Sequence, residues 1–271
     1  QFSDPGDVNR TRLHWALIAG TAAAVGVGAA LGTRAVTQLV DSTLPDARGI
    51  ASFNRPGTIT LLSSQGKIIQ KLGPATREKI KPGAMPPLVQ NAFIAAEDRR
   101  FFQHDGVDVW GIARAVVTNV RQGAVREGAS TITQQLARIV FLSQDRTITR
   151  KLKEAALALK LERQLSKQQI LEQYLNYVYL GSGAYGVSDA AWIYFSKTTD
   201  QLTVAEAALI AGLPPAPSIY SPLVNPDLAR KQRALVLDRM AQSGAISRVE
   251  AERASASPLA LKPATPKYFN S

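Results

Sequence analysis

The sequence predicts a mainly α-helical domain that carries one small β-hairpin and follows an N-terminal transmembrane helix. Three observations predict it. Beyond Pro86, apolar residues recur at helical spacing in one run after another. Between Thr58 and Leu72 the pattern instead alternates with period two around the turn Gln65-Gly66-Lys67. Residues 13–33 contain no Asp, Glu, Lys or Arg, and roughly 20 apolar residues suffice to cross a bilayer.

The chain has 271 residues, 45% of them hydrophobic, enough for one main domain with a real core. It has no cysteine, which excludes disulfides and thiolate metal sites, and its two histidines argue against a histidine-based metal site. A formal charge of +11 asks for anionic partners, and nucleic acid, phospholipid headgroups and phosphorylated substrates all qualify. Arg10 and Arg12 precede the uncharged stretch and Trp15 sits like an interfacial anchor. The positive-inside rule then leaves residues 1–12 in the cytoplasm and everything after residue 33 outside. A signal peptide competes with a single-pass anchor, but the stretch is long for one and lacks a clear small-x-small cleavage site. A buried or amphipathic soluble helix is the other alternative.

Residues 34–56 read as a linker before the hairpin. Pro82, Pro86 and Pro87 then break the chain ahead of a helix with Leu88, Ala92, Phe93 and Ala96 on one side, ended by His104 to Gly106. Glu97 falls near that helix's C-terminus, where the macrodipole disfavours an acid. Taken alone, it reads as a surface carboxylate paired with Arg99 or Arg100. Asp108 is placed to cap a helix to about Arg121, and Gly123 to Gly128 make a glycine-bearing connection. Thr131 and Gln134 have capping-box spacing before a helix with Ile132, Leu136, Ile139 and Val140, and its N-terminus is a ready anion site. From Arg146 to Leu165 a helix is predicted with Ile148, Leu152, Ala155, Ala156 and Leu159 inward, and with Arg150, Lys151 and Lys153 crowding Glu154. Ser166 and Gln169 open the next helix, predicted to end at Gly181, and Thr203 and Glu206 open another. A proline-rich loop, PPAPSIYSPL, follows. Asn225 and Pro226 are a cap and first-turn pair for the helix bearing Arg230, Lys231, Arg233 and Arg239, and a Pro- and Ala-rich tail closes the chain.

Each of these signals is weak alone. In order along the chain, however, stand EDRRFFQHDG from Glu97, GASTITQQLAR from Gly128, RKLKE from Arg150, KQQILEQYLN from Lys167 with GSGAYG after it, and RKQRALVLDRM from Arg230. Together they resemble the motif series of the peptidoglycan glycosyltransferases of glycosyltransferase family 51. The resemblance implies a lysozyme-like, membrane-anchored helical domain over residues 57–245, with residues 107–127 as a mobile jaw beside the lipid, where Trp110, Ile112, Val116 and Val117 would face the membrane. It implies polymerisation of lipid II into β-1,4 glycan strands with inversion and release of undecaprenyl diphosphate. Residues 246–271 would be a C-terminal helix and a linker toward a transpeptidase domain, as in a class A penicillin-binding protein; a monofunctional enzyme is the alternative.

By motif position, Glu97 is then the general base, in surroundings of Phe93, Phe101 and Phe102 that raise its pKa. Glu154 is the second catalytic acid, orienting cations and holding a divalent ion, Mg2+ or Mn2+, against the diphosphate; no organic cofactor is implied. Ser130, Thr131, Gln134, Gln135, Arg138, Arg150, Lys151 and Arg233 are the implied substrate-binding residues, and Asp98, His104, Gly128, Lys167, Glu172, Tyr174 and Asn176 shape the cleft. Where the family usually has lysine, this chain has Arg138, a change that bears on activity level rather than reaction type. The implied partners are lipid II, the growing glycan strand, membrane lipid and other cell wall synthesis proteins, with no nucleic acid. A lysozyme-like hydrolase and a non-catalytic basic module are the competing readings. The cationic cluster around Glu154 disfavours the first, since a hydrolase needs no diphosphate site, and the ordered carboxylates disfavour the second.

Overall fold

The computed structural model describes residues 59–72, 79–114, 130–142 and 148–263; the predicted transmembrane helix, most of the predicted jaw and Gly128 lie outside them. Among the described residues no helix is long and apolar enough to cross a membrane. Strands β1 (Ile59–Leu62) and β2 (Ile68–Leu72) pair antiparallel, with an irregularity in register between Leu61 and Leu62. Among the described residues, apart from an isolated bridge between Tyr179 and Tyr185, the other regular structure is helical and includes α1 (Pro87–Glu97), α2 (Ile132–Phe141), α3 (Ile148–Gln164), α4 (Lys167–Tyr177), α5 (Val187–Phe195), α6 (Val204–Ala211), α7 (Pro217–Tyr220), α8 (Pro226–Gln242) and α9 (Arg248–Ala256).

Two groups of helices build the core. Helix α2 packs on α3 and α4, while α8 packs on α1, α6 and α9 and α1 also packs on α6. The groups meet where Phe93 of α1 lies edge-on to Tyr174 of α4, their ring centroids 6.1 Å apart. Both rings are fully buried, together with Ile132, Leu136, Leu157, Leu161 and Ile170. Helix starts follow local chemistry closely. Complete capping boxes form at Thr131/Gln134, Ser166/Gln169 and Thr203/Glu206, each satisfying two N–H groups that a helix start leaves orphaned.

Several elements depart from the sequence expectation. Helix α1 stops at Glu97 itself, and a short 3-10 turn, Phe101–Gln103, separates it from His104. Helix α4 stops at Tyr177 rather than Gly181, because Gly186 N donates to the carbonyl of Val178 at 2.7 Å and draws the chain into a tight return. Gly186 is required there: its φ is +83°, and a Cβ would stand 2.5 Å from the carbonyl oxygen of Asn176. Asn225 does not cap α8; its side-chain amide donates instead to the carbonyl of Ile219 at 2.9 Å, leaving Pro226 to open the helix. A turn of helix, α7, forms within the proline-rich loop.

The largest departure is the face of α3. Leu152 is 68% exposed and Leu159 39%, whereas Glu154, Leu157, Ala158 and Leu161 are buried. The helix carries two stripes at helical spacing, and the buried one begins with a carboxylate that brings its own cations inside.

Arg233, expected at the substrate, is a brace. It is 1% exposed, and its guanidinium donates to the carbonyls of Ser255 (2.9 Å), Ser257 (2.6 Å) and Pro258 (3.2 Å), where α9 ends. Burial, reinforced by Arg230, lowers its pKa from the usual guanidinium value. Arg233→Met is therefore expected to destabilise the domain by about 2 kcal/mol, read by chemical denaturation, because the carbonyls at the end of α9 lose their donors.

Candidate active site

The site begins with the awkward position of Glu97. It is the last residue of α1, where backbone carbonyls accumulate negative charge. A cation from another helix relieves this: Arg239 of α8 donates from Nη1 to the carbonyl of Ala96 at 2.6 Å. The carboxylate does not pair with Arg99 or Arg100 in the way its neighbours suggest. Instead Oε2 of Glu97 accepts from the side-chain amide of Gln135 on α2 at 2.7 Å, and the other end of that amide, Oε1, accepts from the hydroxyl of Tyr174 on α4 at 3.0 Å. Three helices thus converge on one carboxylate.

Its environment is crowded. Withdrawal from water raises the pKa of Glu97 above the usual carboxylate range; the Gln135 hydrogen bond and the charges of Arg239 and Arg138 oppose this without cancelling it, and Asp98 adds to the rise. Of the three aromatic residues expected around it, Phe93 and Phe101 are buried, whereas Phe102 is 61% exposed.

The next residue has a different task. The carboxylate of Asp98 faces His104 Nε2 at 3.0 and 3.1 Å and accepts from the backbone N–H of Ile132, the first residue of α2, at 3.1 Å. Gly106 N–H donates to the other ring nitrogen of His104, so the ring proton is left on Nε2, toward Asp98. Thr131 closes the loop by donating to the carbonyl of Gly106 at 2.6 Å while its oxygen accepts from Gln134 N. The N-terminus of α2, an expected anion site, is therefore already filled by the carboxylate of Asp98 and the hydroxyl of Thr131. Gln134 is part of that cap and serves no cleft.

A cavity of about 360 Å³ opens on Glu97, and Asp98, Ser130, Thr131, Gln135 and Arg138 also line it. Arg99, Asp108, Arg114, Gln232 and Arg239 complete its polar wall. Asp108 lies in ion-pair range of Arg100, its Oδ1 3.4 Å from Nε with no hydrogen bond between them, whereas the partner of Glu97 is a neutral amide. Ser130 joins this cavity to a second cluster on α3, since Lys151 Nζ donates to it at 2.7 Å and to Glu154 Oε2 at 2.9 Å. The other oxygen of Glu154, 1% exposed as a residue, is taken by Arg150 Nη1. Both oxygens of Glu154 are engaged, and among the described residues no three His, Cys, Asp or Glu side chains are grouped to hold a metal ion. A divalent ion on Glu154 does not fit this arrangement unless it displaces a cation, and no chemical step is derived through one.

The other residues expected to shape the cleft do so from behind. Lys167 pairs with Glu162 at 2.7 Å and lies 4.5 Å from the centre of the Phe101 ring. Glu172 accepts from Gly83 N at 2.8 Å, and Asn176 binds both N–H and C=O of Ile80, so α4 fastens the segment leading into α1. Arg239 and Arg114 were not singled out by the sequence as site residues. The place of Arg239 within RKQRALVLDRM was the signal available for it.

Over most of its length the chain is similar to known proteins. A family described as Transglycosylase matches residues 65–241. Penicillin-binding protein 1A of Neisseria lactamica is 48% identical over 211 residues, 78% of this chain and 26% of that protein. The protein of the same name from Aquifex aeolicus is 44% identical over 219 residues, 81% of this chain and 30% of that protein. The chain thus spans about a quarter to a third of the length of these relatives. A crystal structure of penicillin-binding protein 1A from Haemophilus influenzae is similar with a TM-score of 0.45 and 24% identity, over 79% of this chain and 22% of that one. With the family match extending over residues 65–241, most of the chain, this protein belongs to the transglycosylase family of peptidoglycan glycosyltransferases.

Proposed function

We propose that this chain polymerises lipid II into β-1,4 glycan strands with inversion at the anomeric carbon, using Glu97 as general base. The observation that carries this reading is one carboxylate with raised proton affinity, set in a cavity whose remaining wall is rich in cations. The 4-hydroxyl of the incoming disaccharide gives its proton to Glu97 as its oxygen forms a bond to C1 of the growing strand. The C1–O bond to the lipid diphosphate breaks, and the electron pair leaves on the diphosphate. A diphosphate is a good leaving group, so what it needs is a cationic wall rather than a proton. Arg138 lines the cavity itself, and Lys151 and Arg150 stand beyond Ser130 on α3, with Glu154 fixing those two in place, so the diphosphate is taken to extend from the cavity toward them. A hydrolase cleaving finished glycan would call for a second, protonated acid, whereas Asp98 and Asp108 are bound by His104 and Arg100.

The substrate is lipid-borne, and the proposal includes a single-pass anchor at residues 13–33 with the catalytic domain on the outer face. Trp110 and Ile112, 71% and 38% exposed, support a membrane-facing side to the segment after Asp108. The length ratio to the relatives supports reading the chain as the N-terminal portion of a class A penicillin-binding protein. Other cell wall synthesis proteins are its proposed partners.

Labelled lipid II tests the reaction. Wild-type protein in detergent should give long, lysozyme-sensitive strands on a gel, and Glu97→Gln should give none while staying folded; soluble fragments released from purified cell wall would point to a hydrolase instead. Lys151→Met should lower kcat by about 10²-fold, as expected when one preorganised charge on a leaving group is removed. Stability supplies an independent check. A carboxyl whose folded pKa is raised holds its proton in the native state at pH values where the unfolded chain has lost it, so native stability falls as pH rises from the unfolded toward the folded value. Glu97→Gln abolishes that loss. The variant should melt at a higher temperature than wild type at pH 7, with the difference vanishing in acid.

A further inference from the structure

The amide of Gln135 is nearly symmetric in shape, yet only one of its two orientations serves Glu97. With Nε2 toward the carboxylate it donates; turned over, it would set oxygen against oxygen. An ionised Glu97 favours the first, and the hydroxyl of Tyr174, 3.0 Å from Oε1, favours the same one whatever the charge on Glu97. This phenol is fully buried and wedged edge-on against Phe93. Burial, and after it the charge of Glu97, pushes its pKa well above the ordinary phenol value, so it stays a hydroxyl whatever the working pH. Turned over, the amide could still donate to the phenol oxygen, but the phenolic proton, whose hydrogen bond is to Oε1, would be left buried without an acceptor, so the amide presents its oxygen there.

We propose that Tyr174 is a positioning residue for glycosyl transfer: its hydroxyl fixes the direction of the Gln135 amide, which in turn holds the Glu97 carboxylate with one oxygen occupied and the other free for the attacking hydroxyl. The proposal rests on Glu97 being the base. Tyr174 itself touches no substrate and acts only through Gln135. The other charged groups facing Glu97 are Arg239 from α8, Arg138 from α2 and Asp98 from its own turn, and all of them survive the loss of the Tyr174 hydroxyl. What changes with Tyr174→Phe is the donor alone. A carboxylate that loses a reliable donor holds its proton more tightly.

The test is the pH–rate profile of lipid II polymerisation by the detergent-solubilised chain. Tyr174→Phe is expected to move the acid limb up by about one pH unit and to lower kcat near neutrality about tenfold, with KM within about twofold of wild type. Adding Tyr174→Phe to Gln135→Ala should cost nothing further, since the first acts only through the second. A Tyr174→Phe profile that overlays wild type, or a double variant as impaired as the product of the singles, overturns the proposal. Should Tyr174→Phe fail to fold, Gln135→Glu serves: it still accepts from Tyr174 yet donates nothing to Glu97 once ionised, and the acid limb should rise by more than one unit. An unmoved limb there is equally fatal. Glu97→Gln run beside them separates the two claims. If it still polymerises, the base assignment fails and this inference with it; if it is inactive while Tyr174→Phe behaves as wild type, only the positioning role is lost.

Discussion

The buried carboxylate of Asp98 is the interaction on which the rest of the site depends. It lies between the end of α1 and the beginning of α2 and holds both, accepting from the first N–H of α2 while it faces His104. His104 in turn receives Gly106 N–H, and Thr131 returns to the carbonyl of Gly106, so a closed ring of hydrogen bonds ties the turn after α1 to the start of α2. Gly106 lies so close to α3 that a Cβ would stand 2.8 Å from the carbonyl carbon of Ala158. The ring therefore also sets the distance to the helix that carries the cations. Fixing the end of α1 against the start of α2 is what brings Glu97, one residue before Asp98, within reach of Gln135, three residues into α2. Two adjacent acids thus divide the work, one binding the scaffold and the other left reactive.

Much of this was legible in the sequence, and the reason is locality. Capping boxes depend on residues three apart, and all three anticipated boxes form. The five motifs are each short, and their order marked Glu97, Gln135, Arg138, Arg150 and Lys151 before any fold was known. Tertiary choices were not legible. Helix α3 offers two stripes of nearly equal promise, and only the packing against α2 decides that Leu157, Ala158 and Leu161 turn inward while Leu152 stays in solvent. Arg233 and Arg239 lie on the same helix with similar neighbours, yet one braces the end of α9 and the other caps α1 beside Glu97. Composition cannot tell two such arginines apart. Asn225 likewise had the right chemistry for a cap, but a carbonyl six residues earlier claimed its side chain.

Electrostatically the site is a compromise between a scaffold that must fold and a group that must stay reactive. Glu97 sits where a helix dipole, burial and Asp98 all disfavour its charge, and where Arg239, Arg138 and the Gln135 amide restore part of it. Every other acid near the cavity is matched to a cation or a ring of donors. The arrangement places the destabilisation on Glu97, the proposed base, which is where stability and activity are expected to trade against one another.

The filled N-terminus of α2 has a consequence for how the enzyme lets go. Backbone N–H groups at a helix start make a rigid cradle for phosphate, and a rigid cradle holds its anion long. Here that cradle is occupied by the protein's own Asp98 and Thr131, so in the proposed reaction a departing diphosphate meets side chains instead. The foremost of them, Lys151, has a side chain 46% exposed, a hydrated point charge held at the water's edge by Ser130 and Glu154. Such a grip neutralises charge at the moment of bond breaking yet relaxes readily in water and salt. In the proposed reaction, where a lipid carrier leaves after every sugar pair added, a short residence time is an asset, and the architecture favours it by keeping its most tenacious anion site for itself.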